Sequence, residues 1–244
     1  MKSPLYVGLV HYPIYDKNFN VIATAITNYD LHDISRSAKT YGVKKYFIIH
    51  HIPGQLDMVH KIMDFWESPV GRNYNGYRTQ AFDIVDIRPS IEAAVEAVTA
   101  AEGKRPYVVT TDARTYANTI SYKELRQKRE EDDTPILLLF GTGYGMTKET
   151  MEKFDFILEP IYGAGEYNHL SVRSAAAIIL DRLAGEDWWK YREAFECLDI
   201  LNGRILNVKK GKTTQSAVKS RPRSAVKSRL LSAWAVRTRS ATCV

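Results

Sequence analysis

Three short runs constrain this chain more than anything else in it. YFIIH (46–50), YVVTT (107–111) and ILLLF (136–140) are almost unbroken stretches of aromatic, β-branched and aliphatic residues. A strand that is apolar at every position, instead of every second one, is covered on both faces, which is the situation inside a parallel sheet. Strands are therefore expected at 5–10, 45–49, 82–87, 107–111, 136–140 and 156–159. Helical patterns fall between them. Residues 30–41 open on acids and close at Gly42, and 53–66 carries Pro53 in its first turn. Residues 90–101 have a Ser cap and an apolar stripe of Ile91, Ala94, Val95 and Val98. The charged stretch 121–131 suits a surface helix. The alanine-rich segment 170–183 suits a helix packed closely on a neighbour, and 187–201 reads as a last helical piece. Residues 73–79, with Asn73, Asn75 and Gly76, read as a loop. The alternation predicts an α/β fold: a mostly parallel sheet with helices on both faces.

With 244 residues, 45% of them apolar and 25% charged, the chain is long enough to bury such a core and is neither collagenous nor disordered overall. Its two cysteines, Cys197 and Cys243, make no disulfide framework and no Cys-rich zinc site, so a reducing cytoplasm is expected. No apolar run approaches the roughly 18 residues of a membrane helix, and MKSPLYVGLVHYP reads as a first strand, not as a signal peptide.

Charge is divided unevenly. Ten of the 34 Lys and Arg lie from Lys209 onward with no Asp or Glu, which leaves 24 basic against 28 acidic residues before it. The basic balance is thus a property of the end of the chain, where SAVKSR occurs twice, at 216–221 and 224–229. Such an arm attracts phosphates without regard to sequence; an appendage with no role reads equally well. The expected organisation is one body over 1–207 and a basic, disordered tail over 208–244.

Three clusters can carry chemistry. In ILLLFGTGYGMTKET (136–150) a strand runs straight into Gly141, Gly143 and Gly145, with Thr147 placed to cap a short helix. Glycines there allow positive φ and close approach of a ligand to the main chain, at the strand ends where α/β folds bind ligands. A purely structural turn is the plainer alternative. The spacing is neither the dinucleotide fingerprint nor a P-loop, although Glu159 stands 18 residues after Gly141, near where a ribose-binding acid would fall. In the second cluster, 156–183, Pro160, Gly163 and Gly165 shape a loop, and Asn168, His169 and Ser171 stand at a helix entry that favours polar or anionic groups. In the third, 28–51, Asp30, His32, Asp33 and Arg36 lie within two helical turns, where an Asp33–Arg36 ion pair is the plain reading. His50, His51 and His60 have no acidic or Cys partner at a ligand spacing, so no metal site is expected, and neither a G-x-S-x-G elbow nor a nucleophile triad is present.

Taken together these clusters resemble the SPOUT superfamily of S-adenosylmethionine-dependent RNA methyltransferases. DLHDISRSAKTYGVKKYFI is similar to its first motif, FGTGYG to its second and EPIYGAGEYNHLSVRSAAAIILDRL to its third, over residues 3–200. The resemblance implies a C-terminal trefoil knot, a homodimer built around it, S-adenosylmethionine as cofactor and a tRNA or rRNA substrate, with no metal and no membrane. It implies a donor pocket at Thr110, Gly141, Gly143, Gly145, Ile161, Asn168, Leu170, Ser171 and Val172, and reacting-side roles for Arg36, Asp33 and His169. Ribose methyltransferases of the superfamily carry Asn and Gly in the first motif and Ser-Leu-Asn in the third. Here the corresponding stretches read His32-Asp33-Ile34 and His169-Leu170-Ser171, which leaves a base as acceptor at least as well matched as the ribose. Arg36, Lys44, Lys45, Arg72 and Arg78 are the body's candidates for a basic groove. A dinucleotide-dependent oxidoreductase and a non-enzymatic RNA-binding protein are the rival classes.

Overall fold

The computed structural model describes residues 2–113, 116, 118–165 and 167–186, and beyond them the backbones of strands at 195–199, 204–209 and 212–213. In chain order the first compact unit, Met1–Glu186, has β1 (Leu5–Val10), β2 (Ile14–Tyr15), β3 (Val21–Ile22), α1 (Asn28–Thr40), β4 (Tyr46–Ile49), α2 (Pro53–Glu67), α3 (Pro69–Tyr74) and α4 (Gly76–Phe82). It continues with β5 (Val85–Arg88), α5 (Ile91–Glu102), β6 (Tyr107–Thr111), β7 (Thr119–Ile120), α6 (Tyr122–Glu131), β8 (Ile136–Gly141), α7 (Lys148–Met151), β9 (Phe156–Leu158) and α8 (Val172–Ala184).

Seven of these strands form one sheet in the order β5-β4-β1-β8-β6-β9-β7, and every pair in it is parallel. Alternate side chains divide between two cores. Leu5, Val7, Leu9, Leu138, Phe140 and Val109 face α1, α2, α4, α6 and α8, whereas Tyr6, Val10, Leu137, Leu139, Val108 and Ile157 face α5 and α7. The apolar runs are continuous because both faces are covered, as expected from their composition. The α/β class with helices on both faces is thus the observed one.

Local chemistry sets the helix limits. The Thr27 side chain accepts from the Asp30 N–H at the start of α1, Ser90 caps α5, and Gly103 ends it in the left-handed region at φ 71°. Ser121 and Glu124 form a reciprocal capping box on α6.

The expected strand 82–87 is shifted to Val85–Arg88, because Phe82 is buried as the last residue of α4. The expected loop 73–79 is a junction of two helices: the Asn75 side chain accepts from the Arg78 N–H, so the asparagine caps α4 instead of marking irregular chain. The β2–β3 hairpin was not foreseen. Of the helical piece expected over 187–201, residues 195–199 are a strand, β10 (Phe195–Asp199), and the rest lies outside the described residues. The second unit, Asp187–Val244, contains β10 with β11 (Arg204–Lys209) and β12 (Lys212–Thr213) as an antiparallel ladder. Pairing of Phe195 with Val208 across that ladder is a non-local contact that a helical pattern does not reveal. Most of the tail, with both SAVKSR copies, lies outside the described residues.

Candidate active site

The carboxyl ends of β8, β6 and β9 lie side by side, with Thr110 opposite Leu139 and Ile157, and Thr111 opposite Leu158. The loops carrying the expected donor-pocket residues leave from this one edge, the place where open parallel sheets take ligands. Thr110 is fully buried, and its Oγ1 has no hydrogen-bond partner. A buried hydroxyl without a partner is costly, so at this edge it marks a polar group for a ligand to satisfy.

The two glycine loops at the edge differ. Gly143 and Gly145 sit at φ 57° and 94°. A Cβ on Gly143 would lie 3.0 Å from Ile14 Cγ2 and 3.4 Å from Thr24 Cγ2. The loop is laced to β2: Tyr144 N–H donates to the Tyr15 carbonyl at 3.2 Å, and Tyr15 N–H to that of Gly145 at 2.9 Å. Close packing against the chain's own hairpin therefore accounts for Gly143 without a ligand. Gly141, the last residue of β8, is crowded by Met146. Thr147 stands at the N-cap of α7 as expected, though its hydroxyl pairs with Thr150 Oγ1 at 2.9 Å instead of a main-chain N–H.

A half-buried chain of hydroxyls ties this loop to the first strand. Thr142 Oγ1 donates to the Val10 carbonyl at 3.0 Å and lies 2.5 Å from Thr24 Oγ1, which lies 3.0 Å from His11 Nδ1. With the Thr142 proton committed to Val10, Thr24 donates to Thr142 and accepts from His11, so His11 carries its proton on Nδ1. Its Nε2 is then a bare lone pair, buried and without a partner. Burial, with His50 adding to it, pushes His11 down to about 4 and keeps the ring neutral. His50 accepts the Ile52 N–H on Nδ1 and donates from Nε2 to the Thr24 carbonyl, and burial lowers it too.

On the other side of the edge, the loop between β9 and α8 is open. Tyr162, Tyr167 and Leu170 are exposed, and a Cβ on Gly165 would meet nothing within 4 Å. His169 is exposed, edge-on to the Tyr167 ring at 5.4 Å, and Asn168 is half-buried. Ile161 and Val172 pack against the core on the α1 side. Ser171 caps α8, accepting from the Ser174 N–H at 3.2 Å.

The strongest contact of the site joins α1 to α8. Arg173 donates to Asp30 Oδ1 at 2.7 Å and places Nε 3.5 Å from Asp33 Oδ2, while Thr27 Oγ1 donates to Asp30 Oδ2 at 2.7 Å. Asp30 is buried and fully satisfied; the Asp33 side chain is half exposed. The Asp33 carboxylate thus turns to Arg173 and not to Arg36, which the helical spacing had offered. Arg36 is exposed on the same helix and has no carboxylate partner among the described residues. His32 sits half-buried between the Trp66 and Phe82 rings, its Nδ1 without a partner, lowered by burial and then by Arg78. Asp33, Arg36, Ile161 and Val172 are gathered on the α1–α8 side. Strand alternation puts Thr110, in step with Val108, on the α5–α7 side. Glu159 Oε1 accepts the Tyr122 N–H at 2.7 Å and so anchors α6, which removes the acid that a dinucleotide site would need. Among the described residues no three His, Cys, Asp or Glu side chains converge as metal ligands.

Over residues 4–185 the chain matches the family model described as SAM-dependent RNA methyltransferase. The protein belongs to this family. Its S-adenosylmethionine-dependent methyl transfer to RNA is the activity expected from the three clusters. An uncharacterized protein of Aquifex aeolicus is 44% identical over 179 residues, covering 73% of this chain and 87% of that one. A tRNA (guanine-N(1)-)-methyltransferase of Nitratidesulfovibrio vulgaris is 40% identical over 182 residues, covering 75% of this chain but only 42% of the relative. The chain therefore spans less than half of that longer enzyme. Among solved structures, a probable methylase family protein from Haemophilus influenzae Rd KW20 superposes with a TM-score of 0.51 at 14% identity, over 79% of this chain and 70% of that one. At that identity the likeness concerns the fold alone.

Sequence reasoning overlooked two residues of this methyltransferase. Arg173 stands in the first turn of α8, a turn without acids, where a cation opposes the helix dipole; that placement is a readable signal of a fixed partner. His11 gave none, because a histidine just after a strand looks like any other.

Proposed function

We propose that the protein methylates a nucleotide of tRNA or rRNA at the edge formed by β8, β6 and β9, on the α1–α8 side. The observation that carries this reading is Arg173. By pairing with Asp30 and Asp33 it fixes the acceptor-side face of α1 against the entry of α8, directly beside the open loop 159–171. The donor would be held by Ile161, Asn168, Leu170, Ser171 and Val172, by Gly141, Gly143 and Gly145 through the main chain, and at the strand ends by Thr110, whose unpartnered hydroxyl would meet it from the α5–α7 face of the sheet. When bound, S-adenosylmethionine supplies a methyl group already activated by its sulfonium.

The residues of this chain then have three tasks: align the acceptor, take up its proton, and exclude water. Arg36, exposed and unpaired with any described carboxylate, binds an RNA phosphate and orients the acceptor. Asp33, half exposed and steadied by Arg173, or His169 from the open loop, receives the acceptor's proton, a role worth roughly 10²–10⁴-fold in rate. The residues match neither Asn-Gly nor Ser-Leu-Asn of the ribose enzymes, which favours a base as acceptor. A C-terminal trefoil knot, a homodimer built around it, a cytoplasmic location, and a domain reaching residue 207 ahead of the basic tail complete the proposal.

Calorimetric titration of the full chain with S-adenosylmethionine, with NAD⁺ as the control, tests the donor site. Saturable binding of the methyl donor alone is expected, and binding of NAD⁺ alone overturns the reading. Arg36→Ala and Asp33→Ala should each abolish methyl transfer to bulk tRNA or rRNA and leave donor affinity within about twofold. Wild-type turnover in both variants would sink the assignment of α1.

A further inference from the structure

Between β4 and β5 the chain inserts three helices, and their outer surface is unlike the rest of the body. Residues 68–82 contain Arg72 and Arg78 and no acid, in a body whose acids outnumber its bases. Tyr74 and Tyr77 are 79% and 82% exposed. Only Asn75 and Gly76 lie between them, where α3 passes into α4, so their Cα atoms are at most about 11 Å apart. Behind them Trp66 is buried, with Arg78 lying over its ring at 4.8 Å and Tyr74 at 6.3 Å from it. The Trp66 ring also meets His32 edge-on at 5.5 Å, and His32 is one helical turn from Arg36, whose charge acts on it together with that of Arg78. Neither Arg72 nor Arg78 has a carboxylate partner among the described residues. A chain of ring and cation contacts thus leads from exposed Tyr74 and from Arg78 through the Trp66 ring to His32 on α1, one helical turn from Arg36.

We propose that the α3–α4 face is a stacking platform for unpaired bases of the RNA substrate, beside the nucleotide that is methylated. The inference rests on the methyltransferase reading of α1. Exposed rings adjoining cations are the chemistry of single-stranded nucleic-acid contact: bases stack on the aromatic faces, and the guanidinium groups meet the phosphates. A second copy of the chain is a poorer occupant. A two-fold contact of this patch with itself would bring four arginines together, with no acid in residues 68–82 of either copy to pair them.

The test is fluorescence anisotropy with a short unstructured oligouridylate, on the full chain, at about 0.2 M salt, where phosphate attraction to the basic tail has fallen steeply. The double variant Tyr74→Ala/Tyr77→Ala should bind at least about tenfold more weakly, and Tyr74→Phe/Tyr77→Phe, which keeps both rings, should bind within about twofold of wild type. Both side chains are exposed, so neither variant threatens the core. Unchanged RNA affinity in the alanine variant overturns the proposal. A change from dimer to monomer with RNA affinity unchanged overturns it in favour of a contact between copies. Donor titration of the wild type, run in parallel, keeps the two readings apart. If no S-adenosylmethionine binds, the methyltransferase site fails whatever the tyrosines do.

Discussion

Two glycine loops leave the same edge of the sheet and are built in opposite ways. The loop 141–146 is closed: its main chain is bonded to β2, its Thr142 joins a half-buried chain ending at His11, and Gly143 takes φ 57° where a Cβ would press on Ile14 and Thr24. The loop 159–171 is open, with exposed aromatic and aliphatic side chains, a Gly165 surrounded by space, and one strong anchor at its exit, Arg173. On the page the two read alike, as glycines after an apolar strand. Glycine content therefore does not tell whether a ligand or the chain itself fills the space beside a loop. Here the chain's own hairpin fills the space beside the closed loop, which leaves only main-chain groups for a ligand, whereas the open loop has room beside it.

Four experiments break or sharpen this contrast. Arg173→Ala removes the open loop's anchor and strands the Asp30 carboxylate, so about 3 kcal/mol of stability should be lost in urea unfolding. Asp30→Asn/Arg173→Met should recover most of it, because the buried charge goes with its partner. A loss under about 0.5 kcal/mol for the alanine variant would mean that the loop is held elsewhere.

Acid should undo the closed loop. The unfolded chain protonates His11 below its ordinary 6.5, whereas the folded one resists down to about 4. Stability is thus full above pH 6.5 and falls as pH drops toward 4, with about 2 kcal/mol gone by pH 5. His11→Asn, which keeps a donor for Thr24, should flatten that slope, and an unchanged pH profile would remove His11 from the account.

Gly143→Ala must adopt φ 57° with its Cβ against Ile14, which should cost about 1–2 kcal/mol and lower the melting temperature. Gly165→Ala should change stability by less than about 0.5 kcal/mol while weakening donor binding in calorimetry. A Gly165 variant as unstable as the Gly143 variant would erase the distinction between the loops.

What was legible in the sequence follows the same division. The strands at Tyr107–Thr111 and Leu5–Val10 were read to the residue, since an apolar run buried on both faces identifies itself. The caps Ser90 and Ser171 are legible in the sequence, whereas Thr27, which caps α1 three residues ahead of the expected start at 30, is not. The α3–α4 junction was hidden because Asn75 serves equally as a loop residue and as a cap, and only the surrounding fold decides. Two-residue strands such as β2 and β3 carry no periodicity to detect. At the site, the clusters were visible but their pairings were not. Helical spacing offers Asp33 the cation three residues along its own helix, whereas the cation beside it is brought by α8 from far along the chain. Glu159 stands at the spacing of a ribose ligand, and it holds α6 in place instead.

The place of β1 in the middle of the sheet has a consequence for how the chain is made. One flank of β1 is closed by β4, which follows soon after. The other is closed only by β8, with Leu5 against Ile136 and Val10 against Gly141. At ribosomal speeds of about 5–20 residues per second, the apolar free edge of Leu5–Val10 waits on the order of ten seconds for its partner. Pairing across so long a stretch is slow by topology, and an open, hydrophobic strand edge invites pairing with other chains. Newborn molecules are thus most prone to aggregate before β8 has been synthesised, and a translational pause inside the α2–α4 insertion would lengthen that exposure.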